Sequence, residues 1–206
     1  MIPVAALFDK YADLYAEKYM DVTLYADDLD FFCAELPLDA AVLELACGPG
    51  NLTKYILDKR PDTRLLATDL APNMLELAQK YNPTAEIMVL DCRDFVGLHR
   101  TFNGIVCGFA LPYLDREAAI QLITDAGTCL KSGGLLYLST MEDDYSKSGI
   151  ETSSRGDQLY MYYHEAGYLT ATLTAQQFEI VHLQRKTYTG AKGTEVTDLV
   201  VIAQKK

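Results

Sequence analysis

The chain lacks the features that would mark it as a nucleic-acid or membrane protein. It has no tryptophan and three histidines, and its 18 Lys and Arg residues are outnumbered by 29 Asp and Glu, for a net charge of −11. Clustered Lys and Arg supply most of the affinity for a phosphate backbone, so we expect no nucleic-acid partner. No uninterrupted apolar run suggests a signal peptide or a membrane span, so we expect no membrane contact.

The cysteine pattern offers no framework for disulfides or zinc. There are five cysteines, an odd number, and no two of them form a C-x-x-C pair. Reduced thiols are the simplest account of such a set. We therefore expect a cytoplasmic protein without a metal site.

Helical and strand patterns alternate along the chain, which predicts βαβ units and a mainly parallel sheet within one domain over 1–206. Residues 5–36 are helical in pattern, so the segment 1–38 is predicted to form an N-terminal helical cover. Residues 178–188 and 196–203 are predicted to form a closing antiparallel pair. The other predicted strands follow the turn described next and span 65–68, 87–90, 104–108 and 135–140.

The most informative stretch is a short apolar run that carries Glu44 and breaks into a Gly-Pro-Gly turn before a helical pattern begins. This order places a cofactor over the carboxyl end of the first strand. Gly48 and Gly50 remove side chains that would keep the backbone away from a ligand. A dinucleotide fingerprint requires a third glycine where this chain has Thr53.

These residues resemble motif I of class I S-adenosylmethionine-dependent methyltransferases of the small-molecule, type 11/25-like group, with Ala46 where the first glycine most often stands. The run 131–134, Lys-Ser-Gly-Gly, resembles a helix-ending signature of the same superfamily. The resemblance implies an α/β fold: a Rossmann-like, doubly wound sheet of seven mostly parallel strands, the last antiparallel, with helices on both faces. It also implies S-adenosyl-L-methionine as cofactor and S-adenosyl-L-homocysteine as product.

Two acidic residues follow predicted strands at the positions that such a cofactor requires. Asp69 stands 19 residues after Gly50, close to the ~20-residue spacing of a ribose-binding acid, although it is also a suitable cap for the helix near Pro72. Asp91 follows the third strand, where the family's acid meets the adenine amino group. The alternative for the charged run 91–94 is a solvated turn.

Further cofactor contacts are implied by the resemblance. Glu44 corresponds to the motif I acid that organises the amino acid end of the cofactor; otherwise it hydrogen-bonds the amides of its own loop. Tyr11, Tyr15 and Tyr19 form a helical stripe, which is either packing or a cover in which Tyr11 or Tyr19 contacts the cofactor. The predicted cofactor-binding residues are Tyr11, Tyr19, Glu44, Ala46, Gly48, Gly50, Asp69, Leu70, Met74, Asp91, Cys92, Arg93, Gly108 and Phe109.

The acceptor side is less defined by sequence. Phe109 and Tyr113 would stand near the sulfonium, unless the segment 108–114 is simply core and turn. The polar, aperiodic stretch 141–157 and the run after it predict a substrate lid over 141–163, or else a mobile solvated loop. The predicted substrate contacts are Tyr113, Lys147, Arg155 and Tyr162, of which the two cations could meet an anionic group. His164, Asp115 and Tyr113 are candidate catalytic residues.

We therefore predict methyl transfer to a small-molecule acceptor by in-line displacement, catalysed mainly by positioning, in a monomer or homodimer. Two alternatives remain. One is a protein that binds the cofactor without transfer, as a sensor or partner subunit. The other is a nicotinamide-dependent oxidoreductase, which Thr53 and the absence of a Tyr-x-x-x-Lys motif oppose.

Overall fold

The structure is a computed structural model that describes residues 3–153, 155–190 and 193–206. The described residues leave out 1 and 2 of the predicted cover and 154 of the predicted lid. They also leave out 191 and 192 of the final turn. The strands are β1 (Ala41–Leu45), β2 (Arg64–Asp69), β3 (Glu86–Val89), β4 (Phe102–Gly108), β5 (Leu130–Glu142), β6 (Gly149–Thr152), β7 (Gln158–Met161), β8 (Phe178–Thr189) and β9 (Glu195–Lys205). The α-helices are α1 (Val4–Lys10), α2 (Ala12–Tyr19), α3 (Ala26–Glu35), α4 (Asn51–Lys59), α5 (Pro72–Tyr81), α6 (Arg116–Cys129) and α7 (Ala166–Ala175).

Seven strands form one sheet in the order β3-β2-β1-β4-β5-β9-β8. Strands β1 to β5 pair in parallel, and β9 is antiparallel to both β5 and β8. The predicted seven-stranded sheet with an antiparallel last strand is confirmed. Strand order reverses between β1 and β4, and ligands of doubly wound sheets bind outside the carboxyl ends of strands at such a point.

Both faces of the sheet are covered by helices, as predicted. Neighbouring side chains of a strand point to opposite faces. Val42 packs in a cluster with Phe32 of α3 and Ile56 of α4, whereas Leu43 packs in a second cluster with Leu122 of α6 and Leu169 of α7. The two apolar layers fix the positions of the strands relative to one another. A site at the carboxyl edge of the sheet depends on those fixed positions.

Local signals set the helix ends close to the predicted positions. Pro72 starts α5 at its first turn, where its missing N–H costs nothing. The Asp115 carboxylate accepts from the backbone N–H of Ala118 at 2.8 Å and caps α6. The predicted helix over 5–36 is instead interrupted, with a 3-10 turn at Thr23–Tyr25 between α2 and α3.

Two segments differ from the sequence predictions. Strand β5 begins at Leu130, five residues before the predicted start, because Leu130 pairs with Phe102 ahead of an irregularity in the ladder. The aperiodic part of 141–163 contains an antiparallel hairpin, β6–β7. Its alternation is short and interrupted by polar residues, which is why periodicity did not reveal it.

None of the helices in the described ranges is long and apolar enough to cross a lipid bilayer. Within those ranges no group of His, Cys, Asp and Glu side chains is arranged to hold a metal ion.

Candidate active site

The turn between β1 and α4 has three residues in the left-handed backbone region. They are Ala46 (φ 52°), Gly48 (φ 54°) and Gly50 (φ 79°). Only glycine adopts this region without strain, so the left-handed conformation of Ala46 gives a physical reason for the glycine that most often stands there in the resembling motif.

The two glycines serve different purposes. Gly48 lines the cleft described below, and the nearest atom to a Cβ placed there would be Tyr15 Cε1 at 3.8 Å. A Cβ on Gly50 would lie 2.5 Å from Asn82 Nδ2 and 3.1 Å from the Ala78 Cα. Gly50 is therefore required for the packing of α4 against α5, a correction to the prediction that it makes room for a ligand.

Glu44 is buried inside β1, with 2% of its surface exposed. Its Oε2 accepts a short hydrogen bond from the Thr53 hydroxyl in the first turn of α4. Burial raises the pKa of Glu44 to about 8; the Asp69 charge adds to this shift and the Thr53 hydrogen bond opposes it. Burial therefore favours the protonated form of this carboxyl, and a cation beside it would favour the ionised form.

Asp69 joins the ends of β1 and β2. Its Oδ2 accepts from the backbone N–H of Gly48 at 2.9 Å, and its Oδ1 accepts from that of Ala71, also at 2.9 Å. Burial raises the pKa of Asp69, and the backbone amides oppose that shift. Asp69 lines the cleft, but it bonds the loop before α5 and does not cap that helix, whose N-cap residue is Ala71 and which has no side-chain cap hydrogen bond. The predicted capping role is therefore wrong.

Asp91 and Arg93 form an ion pair at the end of β3. Arg93 Nε donates to Asp91 Oδ1 at 2.9 Å, and the Arg93 guanidinium lowers the pKa of Asp91. Cys92, between them, has its pKa raised to about 12 by burial, so it is a neutral thiol. All three line the cleft, and the pairing fixes the Asp91 carboxylate.

The cleft at the carboxyl edge of the sheet has two lobes. The first lobe, about 360 Å³, lies against the ends of β2 and β3 and is closed by α1. The second lobe, about 210 Å³, lies against the ends of β1, β4, β5 and β9. The residues that line both lobes are Tyr15, Ala46, Gly48, Gly108, Phe109 and Tyr113. Predicted residues that line only the first lobe are Asp69, Leu70, Met74, Asp91, Cys92 and Arg93.

The wall between the lobes comes from the segment after β4. Phe109 has φ 55°, and its N–H donates to the Ser139 carbonyl at 3.0 Å, which fixes the turn. A Cβ on Gly108 would lie 2.3 Å from Leu52 Cδ1, so Gly108 permits the approach of α4. The Tyr113 ring meets Phe8 edge-on at 5.1 Å.

Of the two tyrosines predicted to contact the cofactor, Tyr19 lines the cleft and Tyr11 does not. Tyr11 lies at the break between α1 and α2, and its hydroxyl donates to Asp157 Oδ2 at 2.7 Å. Tyr15 lines both lobes and packs against Tyr19, which lines the second lobe, at 4.5 Å. The helix is interrupted at Tyr11, and Tyr15 in place of Tyr11 lines the cleft.

The structure corrects the candidate bases. His164 is fully buried, and its Nε2 donates to the Leu111 carbonyl at 2.8 Å while Nδ1 accepts from the Tyr168 hydroxyl. Burial lowers the pKa of His164, and both ring nitrogens are occupied. Asp115 is committed to capping α6. His164 instead anchors the segment that ends at Tyr113.

The three predicted substrate contacts on the lid also lie elsewhere. Lys147 Nζ pairs with Asp143 at 2.7 Å. The Arg155 guanidinium stands over the Tyr11 ring at 5.5 Å, and the Tyr162 ring packs against Tyr160 at 4.6 Å. None of the three is among the residues that line the two lobes within the described ranges.

Several residues of the second lobe were missed by sequence reasoning, among them Tyr25, Tyr188 and Asp198. Asp198 is 1% exposed at the start of the apolar run of β9, and its Oδ2 accepts from the Tyr25 hydroxyl at 2.6 Å. An acid inside an apolar strand is the same signal that singled out Glu44.

The sheet order, the left-handed turn and the strand-end acids agree with the resemblance to class I S-adenosylmethionine-dependent methyltransferases. Over residues 42–134, a little less than half of its length, the chain matches the family model described as a methyltransferase domain. It is 31% identical over 136 residues to the malonyl-[acyl-carrier protein] O-methyltransferase of Acetivibrio thermocellus, an alignment that covers 65% of this chain and 44% of that one. The chain thus spans less than half of the length of this curated relative.

Two solved structures share the fold. One is the 1,6-didemethyltoxoflavin-N1-methyltransferase of Burkholderia thailandensis, solved with 1,6-didemethyltoxoflavin and S-adenosylhomocysteine bound. It superposes with a TM-score of 0.72 at 21% identity, covering 98% of this chain and 87% of that one. An S-adenosylmethionine-dependent methyltransferase of Clostridium acetobutylicum superposes with a TM-score of 0.71 at 17% identity, covering 97% and 99%. At these identities the likeness concerns the fold.

Proposed function

We propose that the cleft binds S-adenosylmethionine and that the chain transfers the cofactor's methyl group to a small molecule. The observation that carries this proposal is the convergence of the Gly48 backbone with the Asp69 and Asp91 carboxyls in the first lobe. These groups come from the ends of three adjacent strands at the point where strand order reverses. The adenosyl compound has the matching chemistry: a sugar diol, a base with an amino group, and a charged amino acid end.

In this proposal the first lobe holds the adenosyl part. Asp69 accepts hydrogen bonds from the ribose hydroxyls, and Asp91 accepts from the adenine amino group. Leu70, Leu90 and Cys92 supply apolar surface for the adenine ring. The turn at Gly48, together with buried Glu44, takes the methionine end, whose ammonium group favours the ionised form of that carboxyl.

Methyl transfer would occur at the wall that the lobes share. Phe109 and Tyr113 line both lobes, and aromatic faces attract a sulfonium cation. The acceptor atom forms a bond to the methyl carbon while the carbon–sulfur bond breaks and its electron pair remains on sulfur. Well-oriented reactants reach effective molarities of ~10⁵ M or more, so alignment and exclusion of water supply most of the catalysis.

We further propose that the N-terminal helices act as a cover and the β6–β7 hairpin as part of a lid, within one domain. Phe8 and Tyr15 already close the first lobe. The hairpin is tied to this cover where Asp157 accepts from Tyr11 and pairs with Lys10 at 3.4 Å.

A small acceptor fits the size of the second lobe, about 210 Å³. The names of the relatives agree with this class, since one acts on a malonyl-[acyl-carrier protein] and another on 1,6-didemethyltoxoflavin. The cysteines of the chain are free thiols, as in proteins of a reducing cytoplasm, where we propose that the chain acts.

The test is calorimetric titration of the purified chain with S-adenosylmethionine, S-adenosylhomocysteine and NAD, followed by an acceptor panel read out by release of S-adenosylhomocysteine. We expect binding of both adenosyl compounds, no binding of NAD, and turnover with one class of acceptor. Tight NAD binding without a response to the adenosyl compounds would reject the proposal. Adenosyl binding without turnover on any acceptor would favour the sensor alternative.

A further inference from the structure

The second lobe is acidic. It contains the carboxyl groups of Asp21, Glu44 and Asp198, and no Lys, Arg or His is found among its lining residues in the described part of the chain. Asp21 lies exposed at the rim, where hydrogen bonds from Thr23 lower its pKa. Glu44 accepts from Thr53 and is assigned in the proposed function to the methionine end of the cofactor. Asp198 is the carboxylate left to a ligand in the interior of the lobe.

Asp198 has an unused acceptor atom. Its Oδ2 accepts from Tyr25, but its Oδ1 is buried without a hydrogen-bond partner. Lys186 lies opposite Asp198 in the β8–β9 ladder, yet its Nζ pairs with Asp28 Oδ2 at 3.2 Å. A buried acceptor without a partner costs roughly 1–3 kcal/mol, and a ligand that donates to Oδ1 would recover that energy.

Aromatic rings surround this carboxylate. The Tyr25 ring packs against Phe109 at 5.3 Å, and Tyr188 lines the same lobe. The hydroxyls of Tyr25 and Tyr188 oppose the rise that burial causes in the pKa of Asp198, which favours its ionised form. A carboxylate beside aromatic faces is the usual environment of a bound ammonium group.

Resting on the proposed function, we propose that the methyl acceptor is an amine that binds between Asp198, Tyr25 and Phe109. Its ammonium donates one proton to Asp198 Oδ1, which leaves the nitrogen lone pair free. That lone pair forms the bond to the methyl carbon, the carbon–sulfur bond breaks, and its electron pair goes to sulfur. The product is a methylated ammonium and neutral S-adenosylhomocysteine, and Asp198 returns its proton to solvent.

The same charges disfavour an acidic acceptor. Two like charges about 4 Å apart repel by roughly 4 kcal/mol at the effective dielectric constant of a protein surface. An acceptor carboxylate in this lobe would face Asp198 and Asp21 without a lining cation among the described residues. This separates the chain from relatives whose printed substrate is an acid, such as the malonyl carrier protein.

The test uses the full chain saturated with S-adenosylhomocysteine and three matched probes: benzylamine, benzyl alcohol and phenylacetate. By calorimetry we expect benzylamine to bind at least about tenfold more tightly than either of the others, because a charged hydrogen bond contributes ~1.5–3 kcal/mol. Asp198→Asn should remove most of this preference. Glu179→Gln, an exposed change of equal charge on β8, should keep it.

The outcomes separate the two proposals. Failure to bind S-adenosylhomocysteine would refute the proposed function. Normal cofactor binding with no preference for benzylamine over benzyl alcohol, or with a preference for phenylacetate, would overturn the amine acceptor alone. So would an Asp198→Asn variant that binds cofactor and keeps the preference. The comparison among probes uses the unaltered chain, so it remains decisive if Asp198→Asn does not fold.

Discussion

The Thr53 hydroxyl donates a hydrogen bond to Oε2 of Glu44 and joins the first turn of α4 to the interior of β1. Both side chains are buried. Thr53 stands where a dinucleotide fingerprint has glycine, so the residue that argues against that site is also the partner of the buried acid. The strand–turn–helix unit is held together by this contact as well as by its backbone.

Replacing Thr53 by valine should destabilise the fold by about 1–3 kcal/mol, because Glu44 would lose its hydrogen-bond donor inside the protein. Urea unfolding measures the change in the free energy of unfolding. Thr128→Val, an exposed change on α6, is the matched control and should remain within about 0.5 kcal/mol of the parent. Equal effects of the two substitutions would contradict the role given to Thr53.

Glu44→Gln should alter how stability depends on pH. The folded-state pKa of Glu44 is about 8 against an unfolded value of 4.5, so the folded protein keeps a proton that the unfolded chain releases. Its contribution to stability is complete below the unfolded pKa and falls by about 1.4 kcal/mol per pH unit until the folded pKa. The glutamine variant should lack this slope in unfolding series between about pH 5 and pH 8, whereas exposed Glu35→Gln should retain it.

Asp69→Ala should weaken S-adenosylhomocysteine binding by about 10- to 150-fold, since a charged hydrogen bond contributes ~1.5–3 kcal/mol. The turn would also lose the acceptor of the Gly48 amide. Calorimetry gives the affinity, and circular dichroism confirms the fold. Asp58→Ala, at an exposed site on α4, should bind normally. An Asp69 variant with unchanged affinity would limit this residue to its contacts with the loop and with α5.

Ala46→Gly should preserve stability or raise it by up to about 1 kcal/mol. Glycine relieves the strain of φ 52° at this position, and its greater freedom in the unfolded chain offsets part of the gain. Ala41→Gly in the preceding strand β1 should instead lose roughly 0.5–1 kcal/mol. Denaturant unfolding of both variants compares them directly, and equal losses would show that the backbone at Ala46 is not strained.

His164→Gln should destabilise the fold by roughly 1–3 kcal/mol through loss of a buried hydrogen bond. Burial lowers the folded-state pKa of His164 below its unfolded value of 6.5. Unfolding therefore takes up a proton in acid, and the stability present above about pH 6.5 is lost as the pH falls. Unfolding at about pH 7.5 and 5.5 should show a smaller acid loss in the variant. Exposed His99→Asn should behave like the parent.

The sheet and the cofactor acids could be predicted because their signals are local. The position of each residue at the end of an apolar strand pattern marks Asp69 and Asp91, and Asp69 also stands about 20 residues after the glycine turn. The turn itself is defined by consecutive residues. These features can be recognised in the sequence without knowing which residues pack against them.

The acceptor side could not be predicted because it is assembled from distant segments. Tyr25 and Asp198, which share a hydrogen bond, are 173 residues apart in sequence. His164 looked available as a base until its contact with Leu111, 53 residues away, was known. Tyr15 lines the cleft and Tyr11 does not, because the helix breaks at Tyr11; periodicity alone does not locate such a break.

The bridge from Asp157 to Tyr11 and Lys10 couples the hairpin to the helices over the first lobe. A movement that lifts either element from the cleft must break the same contact or carry the other element with it. Release of the spent nucleoside and entry of the next acceptor would then require the same opening movement, and the rate of that movement would limit both exchanges.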